Sequence, residues 1–170
     1  MKFIKAFIVV VLLGISGLLL IGVFVPEVDD QFEITVDRPV MQVYAAMMNM
    51  NQAPQWVVGL DSVQQTSGFL AMPGSEFKLY YSGTETNEEY NMEVLEMVPL
   101  QSVKFKLYNE MFDFTISVKF KGDGSSTVLD TYVQLKGQTL LTRSFVPLLK
   151  SSIMDVGKDN FRSFKQLQER

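Results

Sequence analysis

The sequence predicts an α+β protein in which a curved antiparallel sheet wraps around one long C-terminal helix, preceded by a single transmembrane helix. Three patterns in the 170 residues carry this prediction. Residues 6–25 are apolar, and the side chains from residue 61 alternate between apolar and polar for most of the next seventy residues. Residues 140–170 then repeat with the period of an amphipathic helix.

The apolar run over residues 6–25 is long enough to cross a membrane, because twenty helical residues span about 30 Å. A cleaved signal peptide also has a charged start and an apolar run. This run exceeds the usual length of about 15 residues, and Gly22–Pro26 lacks a small-x-small cleavage site. We therefore predict a membrane anchor over residues 1–27. Lys2 and Lys5 place the N-terminus in the cytoplasm and the domain on the outer side of the cytoplasmic membrane, periplasmic or extracellular.

Residues 31–170 are predicted to form one domain. A short strand over Phe32–Val36 precedes two short helices, the first opened by Pro39 and the second over Gln55–Leu60. Alternating apolar side chains then predict five or six antiparallel strands joined by short connections, with a bulge near Leu95–Met97.

The C-terminal helix is predicted to bury one apolar stripe against the sheet. Pro147 indicates that the regular helix begins near Phe145. Asn160 projects into the middle of the stripe, and a buried amide needs a hydrogen-bond partner. Either nearby backbone or a bound molecule can supply that partner. The predicted stripe consists of Phe145, Leu149, Ile153, Val156, Phe164 and Leu167.

Composition restricts the chemistry. The chain contains no Cys and no His, which removes thiol nucleophiles, Ser-His-Asp triads and most zinc sites. A net charge of −4, without a cluster of basic residues among aromatic ones, argues against a nucleic-acid partner. We predict no metal, no cofactor and no catalytic residue, and the sequence leaves the oligomeric state open.

A strongly curved sheet around a helix leaves a space that side chains do not always fill. We therefore predict an apolar cavity between the sheet and the C-terminal helix, with a completely filled core as the alternative. Asn160 is the candidate polar group that orients a ligand. The predicted ligand contacts are Trp56, Phe77, Leu79, Tyr81, Tyr90, Met92, Phe105, Phe114, Leu129, Val133, Ile153, Val156 and Asn160.

Several short motifs resemble the SRPBCC superfamily, the START-like, polyketide cyclase/dehydrase and lipid-transport group. They are Arg38-Pro39 opening a helix, Pro54-x-Trp56, and Pro73-Gly74-Ser75-x-Phe77, followed by the terminal helix. The resemblance covers residues 31–168 and implies a helix-grip fold with a deep cavity for a hydrophobic or amphipathic molecule. The membrane anchor departs from the usual soluble family member.

Three functions are compatible with these patterns. The first is a membrane-anchored domain that binds or transports a hydrophobic small molecule or lipid. The second is a cyclase or dehydrase-type enzyme, for which Tyr81, Tyr90 and Asn160 form a poor proton-transfer set at neutral pH. The third is a non-catalytic interaction partner of another envelope protein. The first requires no catalytic residue, and it is our leading hypothesis.

Overall fold

The computed structural model describes residues 2–69, 72–82, 88–122 and 124–170. A long N-terminal helix is followed by a strand, two short helices, six further strands and a second long helix. In order, the elements are α1 (Lys2–Phe24), β1 (Glu27–Val36), α2 (Val40–Met48), a 3₁₀ helix (Met50–Gln55), β2 (Leu60–Ser67), β3 (Glu76–Tyr81), β4 (Glu88–Val98), β5 (Ser102–Tyr108), β6 (Phe112–Gly122), β7 (Thr127–Gly137) and α3 (Leu140–Gln168).

The seven strands form one antiparallel sheet in the order β1-β7-β6-β5-β4-β3-β2. Strands β2 to β7 form a meander, and β1 pairs with β7 at the edge opposite to β2. The predicted alternation is confirmed in strands such as β5 and β7, where one face is buried, and the other face of the sheet carries exposed ion pairs such as Lys104–Glu96. The register shift between Val94 and Glu96 confirms the predicted bulge. This topology matches the predicted curved sheet with a long terminal helix.

The core lies between the inner face of the sheet and the second half of α3. Phe161 and Phe164 of α3 are buried there. Phe161 contacts Phe32 with ring centroids 5.4 Å apart, and Phe164 contacts Trp56 at 5.2 Å. Trp56 thus joins the loop after the 3₁₀ helix to α3.

Two predicted boundaries were wrong. The first strand begins at Glu27 rather than Phe32, so only Val25 and Pro26 separate α1 from the sheet. Val28 explains the extension, because its side chain is buried against β7 and α3. The second short helix covers Met50–Gln55, not Gln55–Leu60, since Gly59 (φ +74°) turns the chain into β2.

The start of α3 also differs from the prediction. The helix is regular from Leu140, because Thr139 and Thr142 form a capping box that satisfies its first backbone N–H groups. Pro147 lies inside the helix, in its second turn. Pro147 has no N–H to donate to the carbonyl oxygen of residue 143, so one hydrogen bond of the helix is absent there. The capping box nevertheless starts the helix two turns earlier.

The predicted apolar stripe of α3 is buried only in its second half. Phe145, Leu149 and Val156 are 41%, 42% and 51% exposed, whereas Val146 and Met154 are buried instead. The physical reason is that α3 packs against α1 and, among the strands, mainly against β1 and β7 at one edge of the sheet. The middle of the sheet therefore does not cover this side of the helix.

Helix α1 is long and apolar enough to cross a membrane over Phe3–Phe24, with a mean hydropathy of 2.9. An N-terminal signal sequence has the same character. Its last turn packs against the first turn of α3 at Gly22. A Cβ atom at Gly22 would lie 2.5 Å from the hydroxyl oxygen of Ser144 and 2.8 Å from the carbonyl oxygen of Leu140. Glycine is needed at position 22 for this close approach.

Candidate ligand-binding site

The two edges of α3 have different surroundings. On one edge, the Lys158 ammonium contacts the Asp30 carboxylate of β1 at 2.7 Å. On the other, the Asn160 side-chain oxygen accepts a hydrogen bond of 2.9 Å from the backbone N–H of Val58. Leu149, Ile153, Val156 and Asn160 follow one another at spacings of four, three and four residues, so they share this second edge. This edge faces away from β1.

The inner face of the sheet carries a row of aromatic side chains. Tyr81 and Tyr90 meet edge to face with ring centroids 5.5 Å apart, and Tyr90 reaches Phe114 at 6.2 Å. Phe112 continues the row, 6.4 Å from Phe114. Tyr90 and Phe114 lie on strands separated by β5, yet their rings are in contact distance, which requires a strongly curved sheet. All four side chains are only partly buried.

We interpret the aromatic row and the exposed edge of α3 as the two sides of an open apolar groove. Ile153 of α3 and Phe112, Phe114 and Ile116 of β6 all pack against the same buried cluster, which includes Leu135 and Met154, so they lie around the base of the groove. The row forms its floor, and Leu149 and Val156 extend its wall. The second half of α3 thus covers the core, whereas the aromatic row beside the core stays partly exposed.

The groove lies at the end of the sheet that receives α1. Phe112 pairs with Gly137 at the end of β7, and the neighbouring Lys136 pairs with Glu27 at the start of β1. The same end therefore carries the aromatic row and the junction with α1.

The predicted contact residues fall into three groups. The strand residues all face the inner side of the sheet, as the pairings Phe77↔Met92 and Leu79↔Tyr90 require. Trp56, Tyr81, Tyr90, Phe114 and Ile153 are partly buried, and Val156 is exposed on α3. Asn160 is bonded to backbone, which is the first of its two predicted partners. The fully buried group is Phe77, Leu79, Met92, Phe105, Leu129 and Val133.

No protein-family model matches this chain, and no curated protein sequence matches it. Solved structures match it over most of their length. The Zhui aromatase/cyclase from Streptomyces sp. R1128 has a TM-score of 0.70 at 9% identity, covering 85% of this chain and 94% of its own. This likeness shows the helix-grip fold that the resemblance implied.

Two further solved structures also match this chain. Ara h 8.0201 gives a TM-score of 0.67 at 9% identity, covering 84% of this chain and 97% of its own. Norcoclaurine synthase from Thalictrum flavum, solved with dopamine and hydroxybenzaldehyde, gives 0.60 at 10% identity, covering 83% and 86%. At these identities the likeness shows the fold alone, and it is the helix-grip fold that the resemblance read from the motifs implied.

A second pocket, of about 540 Å³, lies under α2 and the 3₁₀ helix at the opposite end of the sheet. Met48, Met50 and Met97 line it, together with Phe77 and Gln65. Sequence reasoning placed the cavity under the terminal helix and missed this pocket. The flexible methionines at its rim were the available signal, since Met is suited to irregular apolar spaces.

The phenols of the groove are weak acids. Burial, and secondarily the nearby Tyr90 and Glu88, raises the pKa of Tyr81 to about 12. Burial also raises the pKa of Tyr90. Both side chains therefore stay protonated at neutral pH, where they can donate hydrogen bonds but cannot act as bases.

Two buried polar atoms near the core lack a hydrogen-bond partner in the described part of the chain, Trp56 Nε1 and Thr131 Oγ1. Thr131 lies opposite Phe32 in the β1–β7 register. Among the described residues, no group of three Asp or Glu side chains is arranged to hold a metal ion. The groove thus offers apolar contact and the phenol hydroxyls of Tyr81 and Tyr90, with the Glu88 carboxylate 3.5 Å from the Tyr90 hydroxyl.

Proposed function

We propose that this chain is a membrane-tethered domain that binds a hydrophobic small molecule or lipid in the groove between the aromatic row and α3. The observation that carries the proposal is the partly exposed row from Tyr81 through Tyr90 to Phe114, which faces an exposed apolar edge of α3. Apolar surface of this kind remains in contact with water unless a ligand covers it.

The location belongs to the same proposal. Helix α1 anchors the domain in the cytoplasmic membrane as a single span, with Lys2 and Lys5 on the cytoplasmic side and the domain on the outer side. The contact between Gly22 and Ser144 supports a retained helix, since α1 is packed as part of the folded chain. A cleaved signal sequence would leave Ser144 without this partner.

Solved structures of this shape include aromatase/cyclases and norcoclaurine synthase. They suggest catalysis as an alternative use of the same groove. The raised pKa values of Tyr81 and Tyr90 disfavour it, because neither phenol can act as a base at neutral pH. Binding or transport without chemistry is the function that these residues support best.

Native mass spectrometry of the full-length chain released from detergent micelles tests the proposal. We expect an apolar molecule at a stoichiometry of about one, retained through detergent exchange as a tightly held groove ligand would be. Phe114→Arg should abolish retention by placing a charge in the floor. Tyr132→Arg is the matched control, because Tyr132 lies on the outer face of β7. A ligand-free mass after incubation with total membrane lipids would overturn the proposal.

A further inference from the structure

The first half of α3 exposes large apolar side chains next to the end of α1. Leu141 and Leu148 are 56% and 59% exposed, and Phe145 lies between them on the same side of the helix. Exposed leucine and phenylalanine at consecutive turns are unusual on a surface that faces only water. These side chains therefore indicate a surface that another structure covers.

The depth of this surface relative to α1 is fixed by the contact at Gly22. Ser144 and Leu140 approach Gly22 closely, and Gly22 is two residues from the end of α1 at Phe24. Two residues of helix correspond to about 3 Å along its axis. If α1 spans the bilayer, the first turns of α3 lie at the level where the span ends.

The charges of this segment suit a lipid surface. Between Leu140 and Met154 the only ionisable side chains are Arg143 and Lys150, both basic. The Arg143 Nε–H donates to the Gly137 carbonyl oxygen, which holds this guanidinium beside the end of β7. Apolar side chains flanked by basic ones are typical of helices that lie in the interface of a membrane, buried about 5–10 Å.

We propose that Leu141, Phe145 and Leu148 insert into the interfacial layer of the same bilayer that holds α1, so that the groove opens directly against lipid. This inference rests on the proposed tether. Leu149 and Val156 continue from this surface into the wall of the groove. A lipid or isoprenoid-like molecule then moves from the bilayer into the groove along an apolar path, without crossing water. The substrate class is accordingly one that partitions into membranes.

Fluorescence quenching in nanodiscs tests this placement in the full-length chain. The natural sequence has no Cys, so single-cysteine variants can be labelled without background. An environment-sensitive dye at Leu148→Cys should be quenched several-fold by phospholipids carrying a nitroxide near the headgroup. The dye at Gln101→Cys is the control, because Gln101 is exposed in the β5 turn at the opposite end of the sheet. It should not be quenched.

A third label separates this inference from the tether on which it rests. The dye at Val11→Cys, in the middle of α1, reports the span through a nitroxide deep in the acyl chains. Quenching at Val11 without quenching at Leu148 overturns the membrane contact and leaves the tether standing. No quenching at either position overturns both. A Leu148 dye shielded from lipid, together with disulfide cross-links between copies of the chain, would show that this surface binds a second copy and would also overturn the inference.

Discussion

Asn160 of α3 accepts a hydrogen bond of 2.9 Å from the backbone N–H of Val58, across 102 residues of sequence. This bond joins the long helix to the loop that carries Trp56. It also places the edge of α3 that includes Ile153 and Val156 on the open side of the sheet.

Asn160→Ala is expected to lower the free energy of unfolding by about 1 kcal/mol, the usual value of one hydrogen bond. Chemical denaturation monitored by Trp56 fluorescence measures this change, because Trp56 packs on Phe164. Asp159→Ala is the matched control. It removes only an exposed ion pair with Arg162, worth about 0–1 kcal/mol. Equal effects from both variants would contradict a structural role for Asn160.

Gly22→Ala is expected to destabilise the packing of α1 on α3 by about 1–3 kcal/mol, because the new methyl group overlaps Ser144. Thermal unfolding of the full-length chain in detergent measures the loss. Gly17→Ala makes the same chemical change on α1 where a Cβ atom meets nothing within 4 Å. It should be neutral or slightly stabilising. A neutral Gly22→Ala would show that α1 does not rest on the domain.

Tyr81→Phe is expected to make the alkaline loss of stability shallower. Its pKa is raised from 10.0 to about 12 in the folded chain. Between these values the unfolded chain releases the phenolic proton while the folded chain keeps it, so the wild-type protein loses stability as the pH rises. Below 10.0 both states are protonated, and the difference between variant and wild type should be constant. Denaturation curves collected across this interval test the slope, and parallel curves would contradict the prediction.

Asp30→Asn is expected to make the free energy of unfolding fall less steeply as the pH is lowered in the acid range. The hydrogen bond from Lys158 is the main cause that lowers the pKa of Asp30 below 3.8 in the folded chain. Its stabilising contribution is therefore present above 3.8 and is lost as the pH falls through the lowered value. Lys158→Met removes the partner and should give the same shallow profile. A wild-type acid profile in both variants would show that this ion pair does not hold α3 on β1.

The strands were predictable because alternation is a local property. A side chain such as Phe114 faces the same side of the sheet as the residues two positions before and after it. The structure places each predicted strand residue on the inner face. The existence of the terminal helix was predictable, but the face that it buries was not. Phe145 and Val156 are as apolar as buried residues, and periodicity does not reveal that the sheet stops short of them.

The site was less accessible to sequence reasoning than the fold. The bond from Val58 to Asn160, the contact of Gly22 with Ser144 and the pocket under α2 all join segments distant in sequence. A single glycine in an apolar helix gives no sign of which partner it meets. The sequence left two partners open for Asn160, nearby backbone and a bound molecule, and the structure shows the first.

Only Val25 and Pro26 separate α1 from the sheet, and two residues extend at most about 7 Å. If α1 holds the domain in a membrane as proposed, a connection this short does not let the domain reach a second membrane, and the packing at Gly22 leaves it little freedom to turn. Under that proposal, the acceptor of a bound molecule has to come to the domain at the membrane surface. The chain would then exchange its ligand in place and would not diffuse with it.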